Sequence, residues 1–234
     1  MNGFLKTATM ALGTLLLALF AAVSMFLNAA CDGGLYYEIQ TELNVQPGVD
    51  GETMRELDML LARYLKGDAA ALDDTELFNA DEKAHMADVY DIFAALRVVK
   101  NGALACSVLI LALIYYNRLR FTRRQLQAGA VLGAALFFLP ITALAAWAAL
   151  DFSAAFTWMH HTLFANELWL MDPRTDLMIR MLPEEFFIEI GIKLALRALL
   201  GALAAAGMVF LCTVDWEKNK GSANGNGQEQ KKTA

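Results

Sequence analysis

The chain has 234 residues, a formal net charge of −6 and a hydrophobic content of 57%. With a mean hydropathy of +0.41 it is too apolar for an ordinary soluble domain of this length. The hydropathy excludes a soluble enzyme and indicates a membrane protein surrounded by lipid. Because the chain is acidic, we expect no nucleic-acid partner.

Four uncharged runs are long enough to cross a bilayer. Residues 7–31 contain no charged side chain, and at about 1.5 Å per residue this run exceeds a hydrocarbon core about 30 Å thick. Three further uncharged runs follow at 101–117, 125–150 and 198–214, and apolar residues extend the last one upstream. We therefore predict an all-α integral membrane protein with four transmembrane helices, at residues 1–31, 101–117, 125–150 and 187–214.

The end of the first run, LNAAC at Leu27–Cys31, faintly resembles a lipoprotein cleavage site. However, the run is longer than a usual signal-peptide core, only Lys6 precedes it, and Asn28 stands where such a site normally has Leu. We therefore predict a retained helix. Disulfide or zinc spacing is not evident among the cysteines, so we interpret all three as structural: Cys31, Cys106 and Cys212.

The distribution of charge predicts the topology, because Lys and Arg in short loops stay in the cytoplasm. The loop at 118–124 has four arginines and no acid, and the tail at 215–234 carries lysines. By contrast, residues 32–99 hold 15 acidic and 5 basic side chains, and residues 151–186 are also acidic. We predict cytoplasmic termini, a helical extracytoplasmic lobe at 32–100 and a second outer loop at 151–186. The polar tail at 215–234 is predicted to be disordered.

Two helices are predicted in the outer lobe. Asp50 can cap the first, whose apolar positions recur at helical spacing until Gly67 ends it. The second begins near Asn79, with Glu82 three residues later as a reciprocal cap, and runs on into the second span. His85 lies on this helix, four residues after Asp81 and three before Asp88. We expect these carboxylates to reach the imidazole, fix its tautomer and raise its basicity.

Two sequence signatures resemble a bacterial family of four-span membrane proteins that includes the lipoprotein intramolecular transacylases. The first is LFNADEKAHMADV at Leu77–Val89, preceded by YLKG at Tyr64–Gly67. The second comprises His160, Leu163, Phe164, Asn166, Glu167, Leu168, Trp169, Asp176, Leu182, Pro183, Glu184, Phe186 and Phe187.

The second signature departs from the family pattern at two positions, since Glu167 replaces an Asp and Leu163 replaces a Phe. Either His160 or His161 is its histidine, and counting back from Trp169 favours His160.

The resemblance implies an acyl shift on a bacterial diacylglyceryl lipoprotein in the cytoplasmic membrane. The sn-2 acyl chain moves to the α-amine of the lipidated N-terminal cysteine and gives a lyso-form lipoprotein, without an external donor or a cofactor. His85 and His160 would serve as general base and acid. The supporting residues would be Asp81, Asp88, Asn166, Glu167, Trp169 and Asp176.

The residues suit this chemistry independently of the resemblance. Ester aminolysis needs a neutral amine, and an α-amine with a pKa near 8 is mostly protonated at neutral pH. Imidazole, with a pKa of about 6.5, can take up and return the proton. The sequence identifies no oxyanion donor; Asn166, Trp169 and loop amides are candidates.

The fourth span adds charges at its outer end, where Glu189, Lys193 and Arg197 recur every four residues. They form either a solvated face in the headgroup layer or a site that grips the polar backbone of the substrate.

Two other functions remain open from the sequence. One is a metal-dependent hydrolase that uses the three histidines with Glu167 or Asp176, although no H-E-x-x-H spacing is present. The other is a non-catalytic adaptor whose acidic lobe binds a partner while the histidines only pack. A close approach of His85 and His160 would argue against the adaptor.

Overall fold

A computed structural model describes the backbone of residues 2–116 and 121–229, with the side chains of these residues except 111, 114–116 and 213–229. Regular structure in this part of the chain is entirely helical. The helices are α1 (Gly3–Ala30), α2 (Gly33–Glu42), α3 (Gly51–Lys66), a 3₁₀ turn (Ala71–Asp74), α4 (Ala80–Tyr116), α5 (Arg123–Leu150), α6 (Phe152–Leu163), α7 (Leu177–Met181) and α8 (Glu184–Glu229).

Four of these helices are long and apolar enough to cross a membrane, as predicted. They are Gly3–Ala30, Ala80–Ile110, Arg123–Leu150 and Glu184–Cys212. The helix that carries His85 runs without a break into the second span, as expected, because α4 is a single helix of 37 residues. At about 1.5 Å per residue it is about 55 Å long, so its charged first turns extend beyond the hydrocarbon.

The last helix extends past the predicted fourth span. Its backbone is helical as far as Glu229, and the disorder expected for the tail at 215–234 stays a prediction. Adding a residue to an existing helix costs much less than nucleating a new one, which accounts for this continuation past the apolar span. Arg118, Arg120 and residues 230–234 lie outside the described residues.

The chain divides into two compact units, and the first contains the residues up to Ala22, Lys100–Thr142 and the residues from Leu200 onward. Within it, α1 and α5 are in backbone contact at two glycines. A Cβ atom on Gly133 would lie 2.3 Å from the carbonyl oxygen of Ala11, and one on Gly129 would lie 2.8 Å from that of Thr7. Only glycine permits this approach, a common means of helix association in membranes.

The second unit, Val23–Val99 and Ala143–Leu199, contains all three histidines. Its core draws on α2, α3 and α7 and on the parts of α1, α4 and α8 that belong to this unit. The buried apolar core residues include Ile39, Leu57, Leu61, Phe78, Met86, Met181 and Phe186.

The two predicted helix starts in the outer lobe are confirmed. The carboxylate of Asp50 accepts hydrogen bonds from the backbone N–H groups of Glu52 and Thr53, each at 3.0 Å, and Gly67 ends α3 with a φ of 124°. At the start of α4, Asn79 Oδ1 accepts from the N–H of Glu82 at 3.0 Å, and Glu82 Oε2 accepts from the N–H of Asn79 at 2.7 Å. This is the reciprocal cap expected from the sequence.

A fully buried polar pair joins α2 to α3. Gln40 Nε2 donates to Asp58 Oδ1 at 3.0 Å and to the carbonyl oxygen of Met181 at 3.1 Å, and both side chains are 0% exposed. Desolvation raises the pKa of Asp58 to about 7, while the hydrogen bond from Gln40 opposes the rise. The folded protein therefore binds a proton at Asp58 more tightly than the unfolded chain does.

Because the pKa of Asp58 is raised, we expect the free energy of unfolding to fall as the pH rises. The raised pKa gives a stabilisation that is complete below about pH 4 and is lost as pH rises toward 7, at roughly 1.4 kcal/mol per pH unit. We expect Asp58→Asn to flatten this part of the profile, and Asp73→Asn, at an exposed position, to leave it unchanged. Thermal unfolding in detergent between pH 5 and 7.5 is the measurement. Equal slopes for wild type and Asp58→Asn would contradict the prediction.

Candidate active site

His85 lies in the second turn of α4 and is 8% exposed. The start of this helix is tied to α7. Glu82, which is 1% exposed, accepts from the N–H of Met178 through Oε1 at 2.6 Å while its other oxygen caps α4. Asn79 Nδ2 also donates to Asp176 Oδ1 at 2.8 Å. The first signature and the end of the second outer loop are therefore joined one turn from His85.

His160 lies in the last turn of α6 and is 7% exposed. Its Nδ1 is 2.8 Å from the carbonyl oxygen of Phe156. A carbonyl oxygen only accepts, so in the neutral ring Nδ1 carries the hydrogen and Nε2 keeps a lone pair. Burial lowers the pKa of His160, the Phe156 carbonyl partly offsets this effect, and nearby His161 lowers the pKa further. The ring is therefore neutral at physiological pH, with Nε2 able to accept a proton.

The two buried histidines lie close together among aromatic rings. The centroids of His85 and His160 are 6.3 Å apart and their planes differ by 27°. Phe164 contacts both, with centroid distances of 5.0 Å to His85 and 5.4 Å to His160, and Phe156 lies 4.1 Å from His160. The two signatures, on separate segments of the chain, thus bring two imidazoles into one partly dehydrated site.

Trp169 completes one side of this site. Its ring stacks on His160 with a centroid distance of 4.7 Å and an interplanar angle of 30°, and it contacts exposed His161 edge-on at 5.2 Å. Two buried nitrogens of the site, Trp169 Nε1 and His85 Nδ1, have no hydrogen-bond partner in the described part of the chain. Buried polar groups are normally paired.

This site can be compared with known proteins. The sequence matches the family of the lipoprotein intramolecular transacylase Lit over residues 9–187. The chain belongs to this family.

Solved structures have the same fold. The membrane-integral lipoprotein intramolecular transacylase Lit from Bacillus cereus matches with a TM-score of 0.75 at 23% identity, covering 93% of this chain and 99% of that one. A structure of the same Bacillus cereus protein with an H85R mutation, in its own numbering, matches with a TM-score of 0.73 at 22% identity, covering 93% and 96%. No curated protein sequence matches the chain. The chain is therefore a multi-pass membrane transacylase.

One expectation about the transacylase site is wrong in part. Neither Asp81 nor Asp88 forms a hydrogen bond with His85 within the described residues. Asp81 is exposed, and Asp88 Oδ2 instead accepts from Asn166 Nδ2 at 2.8 Å. The expected fixing of the His85 tautomer by a carboxylate is therefore absent, and burial favours the neutral ring over the imidazolium. Asp88 holds the Asn166 loop against α4, and its negative charge still favours the protonated form of His85 through space, against the larger effect of burial.

The other predicted supporting residues fall into two groups. Asp176 is central to the second outer loop, since its Oδ2 accepts from the N–H of Asp172 at 2.7 Å and its Oδ1 accepts from Asn79. Glu167 is exposed, and its backbone carbonyl accepts from the N–H of Leu170 at 3.0 Å. Of these two residues, only Asp176 is hydrogen-bonded to a residue near His85, namely Asn79.

Of the charges predicted at the start of α8, Lys193 pairs with α2. Lys193 Nζ lies 3.3 Å from Glu38 Oε1 and 3.1 Å from Glu42 Oε2. Lys193 thus already has two carboxylate partners, and its part in gripping substrate stays a prediction. Arg197 is exposed, and the same holds for its predicted role.

The sequence reasoning missed the reach of Glu82 to α7. The capping pattern predicts that one oxygen of the Glu82 carboxylate accepts from the N–H of Asn79. It predicts no donor for the second oxygen. Since α7 was not predicted from the sequence, the unpaired N–H groups at its start could not be assigned an acceptor.

A metal centre has no support in the arrangement of side chains. Among the side chains that the structure describes, no group of three or more from His, Cys, Asp or Glu is placed to hold a metal ion. His161 is exposed while His85 and His160 are buried.

Proposed function

We propose that this transacylase moves the sn-2 acyl chain of a diacylglyceryl lipoprotein to the α-amine of its own N-terminal cysteine and so forms a lyso-form lipoprotein. The observation that carries the proposal is the pair of buried imidazoles 6.3 Å apart, on the two signatures of a family named for intramolecular transacylation of lipoproteins. Donor and acceptor belong to one molecule, so proximity supplies much of the acceleration and a small catalytic set suffices.

The reaction forms one bond and breaks another. The neutral α-amine attacks the sn-2 ester carbonyl, a C–N bond forms, and the C–O bond to the glyceryl oxygen breaks. The amine loses one proton and the glyceryl oxygen gains one, so the pair of histidines ends as it began. His160 is the better base for the first transfer, because its Nδ1–H is held by the Phe156 carbonyl at 2.8 Å and its Nε2 lone pair is available. His85, whose ring centroid lies 6.3 Å from that of His160, assists the return of the proton to the leaving glyceryl oxygen.

The two alternatives have less support. A non-catalytic adaptor would not need two buried imidazoles in proximity beside unpartnered nitrogens. A hydrolase dependent on three histidines would need His161 in the same cluster, and His161 is exposed.

The orientation in the membrane is part of the proposal, with both termini in the cytoplasm and the histidines outside. In a variant lacking the three native cysteines, we expect a cysteine introduced by Glu52→Cys to react with an impermeant thiol reagent on intact cells. A cysteine introduced by Thr122→Cys, in the basic loop at 118–124, should react only after lysis. Labelling in the reverse pattern would place the histidines on the wrong side and refute the orientation.

The lowered pKa of His160 predicts the pH dependence of the rate. Both the amine, with a pKa near 8, and His160 must be neutral. A pKa below the ordinary 6.5 keeps His160 neutral until the solution is more acidic than that. The logarithm of the single-turnover rate should therefore rise with slope one from pH 6.5 to about 8, and slope two should appear only below pH 6.5. A slope of two at or above pH 7 would contradict this assignment.

Expression in a bacterial host that makes only diacyl lipoproteins tests the function. We expect the N-terminal lipopeptides, identified by mass spectrometry, to carry an N-acyl group and a single O-acyl chain when the protein is present. Unchanged diacyl lipopeptides at confirmed membrane levels of the protein would refute the proposal.

A further inference from the structure

We infer that Trp169 is a catalytic hydrogen-bond donor that stabilises the oxyanion formed when the amine attacks the ester. This inference rests on the proposed acyl shift. It assigns the oxyanion donor, for which the sequence offered several candidates. The indole Nε1–H can only donate. This nitrogen is buried and has no hydrogen-bond partner among the described residues, and its ring stacks on the proposed base. A buried donor left unpaired is costly unless a ligand supplies the acceptor.

The position of the indole matches this role. Its ring stacks on His160 at 4.7 Å, so a carbonyl held for attack beside His160 also lies beside the indole. The ester carbonyl is a weak acceptor in the ground state and becomes a strong one when the C–N bond forms and its π electron pair moves to oxygen. A donor fixed in place before this change, away from water, stabilises the transition state more than the substrate.

The other side-chain candidate is already in use. Asn166 Nδ2 donates to Asp88 Oδ2 at 2.8 Å, and Asn166 Oδ1 accepts from the N–H of Leu168 at 3.1 Å. Asn166 is also exposed, as is the neighbouring Glu167. These contacts make Asn166 a positioning residue that orders the loop bearing Trp169.

The reaction with this donor is balanced. As the amine nitrogen bonds to the carbonyl carbon, the negative charge on the carbonyl oxygen is held by Trp169 Nε1–H, which keeps its proton. His160 takes the amine proton. When the C=O bond reforms, the C–O bond to the glyceryl oxygen breaks and that oxygen receives a proton from the histidine pair. Trp169 is unchanged at the end of the cycle.

The test removes the N–H and keeps the ring. Site-specific incorporation of β-(3-benzothienyl)alanine at position 169 replaces the N–H by sulfur in a bicycle of nearly the same shape. Trp169→Phe is the simpler companion. Removal of one oxyanion donor typically lowers kcat by about 10²- to 10³-fold. We expect kcat for a synthetic diacylglyceryl lipopeptide to fall by at least about 10-fold in both variants, with KM within about threefold of wild type. Trp158→Phe, at an exposed tryptophan of the same unit, is the control and should keep full activity.

The outcomes separate this inference from the function on which it depends. If the wild type forms the N-acyl product and the benzothienyl variant matches its kcat within twofold, the indole acts only as packing and the inference is wrong. A fall in the Phe variant alone would overturn the inference in the same way, because it would reflect ring size. If the wild type forms no N-acyl product, the proposed function fails and this inference fails with it.

Discussion

His85→Gln and His160→Gln should each lower the acyl-shift rate by about 10²- to 10⁴-fold, the usual cost of losing a general acid or base. Gln is close to His in size and can hydrogen bond, but it does not titrate. Both histidines are more than nine-tenths buried with their rings 6.3 Å apart, so bulk water is poorly placed to replace either imidazole in proton transfer. The measurement is the ratio of lyso-form to diacyl lipopeptide at matched protein levels.

His161→Gln is the matched control, because it makes the same chemical change one residue along α6. His161 is exposed and meets Trp169 only edge-on, and we expect most of the activity to remain. An inactive His161→Gln alongside an active His160→Gln would mean that the motif histidine has been misassigned and that proton transfer follows another route.

Glu82→Ala should have the largest effect on folding. The Glu82 carboxylate accepts from the N–H groups of Asn79 and Met178 and is 1% exposed. Alanine would leave both groups without this acceptor, at roughly 1–3 kcal/mol each, and would add a cavity. We expect a loss of about 3 kcal/mol or more in the free energy of unfolding, measured in detergent.

The same change should also lower activity, since it frees the turn that precedes His85 from α7. Glu82→Gln, which keeps one acceptor oxygen, should fall between wild type and Glu82→Ala. Glu76→Ala, at an exposed position in the same unit, is the control and should behave as wild type. A Glu82→Ala protein that unfolds like wild type would show that the link between α4 and α7 contributes nothing.

The sequence predicts the fold well where its signals are local. Uncharged runs define the four spans, and the capping residues Asp50 and Asn79 mark two helix starts that the structure confirms. α2, α6 and α7 were not predicted. Only Asp151 separates α6 from the third span. Because no longer break marks a new helix, the sequence alone assigns the apolar residues of α6 to the second outer loop.

The site shows the limit of reasoning from spacing along one helix. Asp88 stands at the right distance in sequence from His85, but it accepts instead from Asn166, 78 residues away. The hydrogen bond of His160 to the Phe156 carbonyl and the unpartnered Trp169 Nε1 depend on three-dimensional packing in the same way. No spacing pattern in the sequence contains them. The identity of the paired segments could be predicted, but the partner of each polar atom could not.

The central claim is that donor and acceptor of the acyl chain are one molecule, and a crossover experiment tests it most directly. Purified protein would be given two diacylglyceryl lipopeptides of different peptide mass, only one of which has a deuterated sn-2 chain. We predict that mass spectrometry will find the deuterated chain as an amide exclusively on the peptide that carried it as an ester. Deuterated amide on the other peptide, or release of the chain as free fatty acid, would contradict an intramolecular shift.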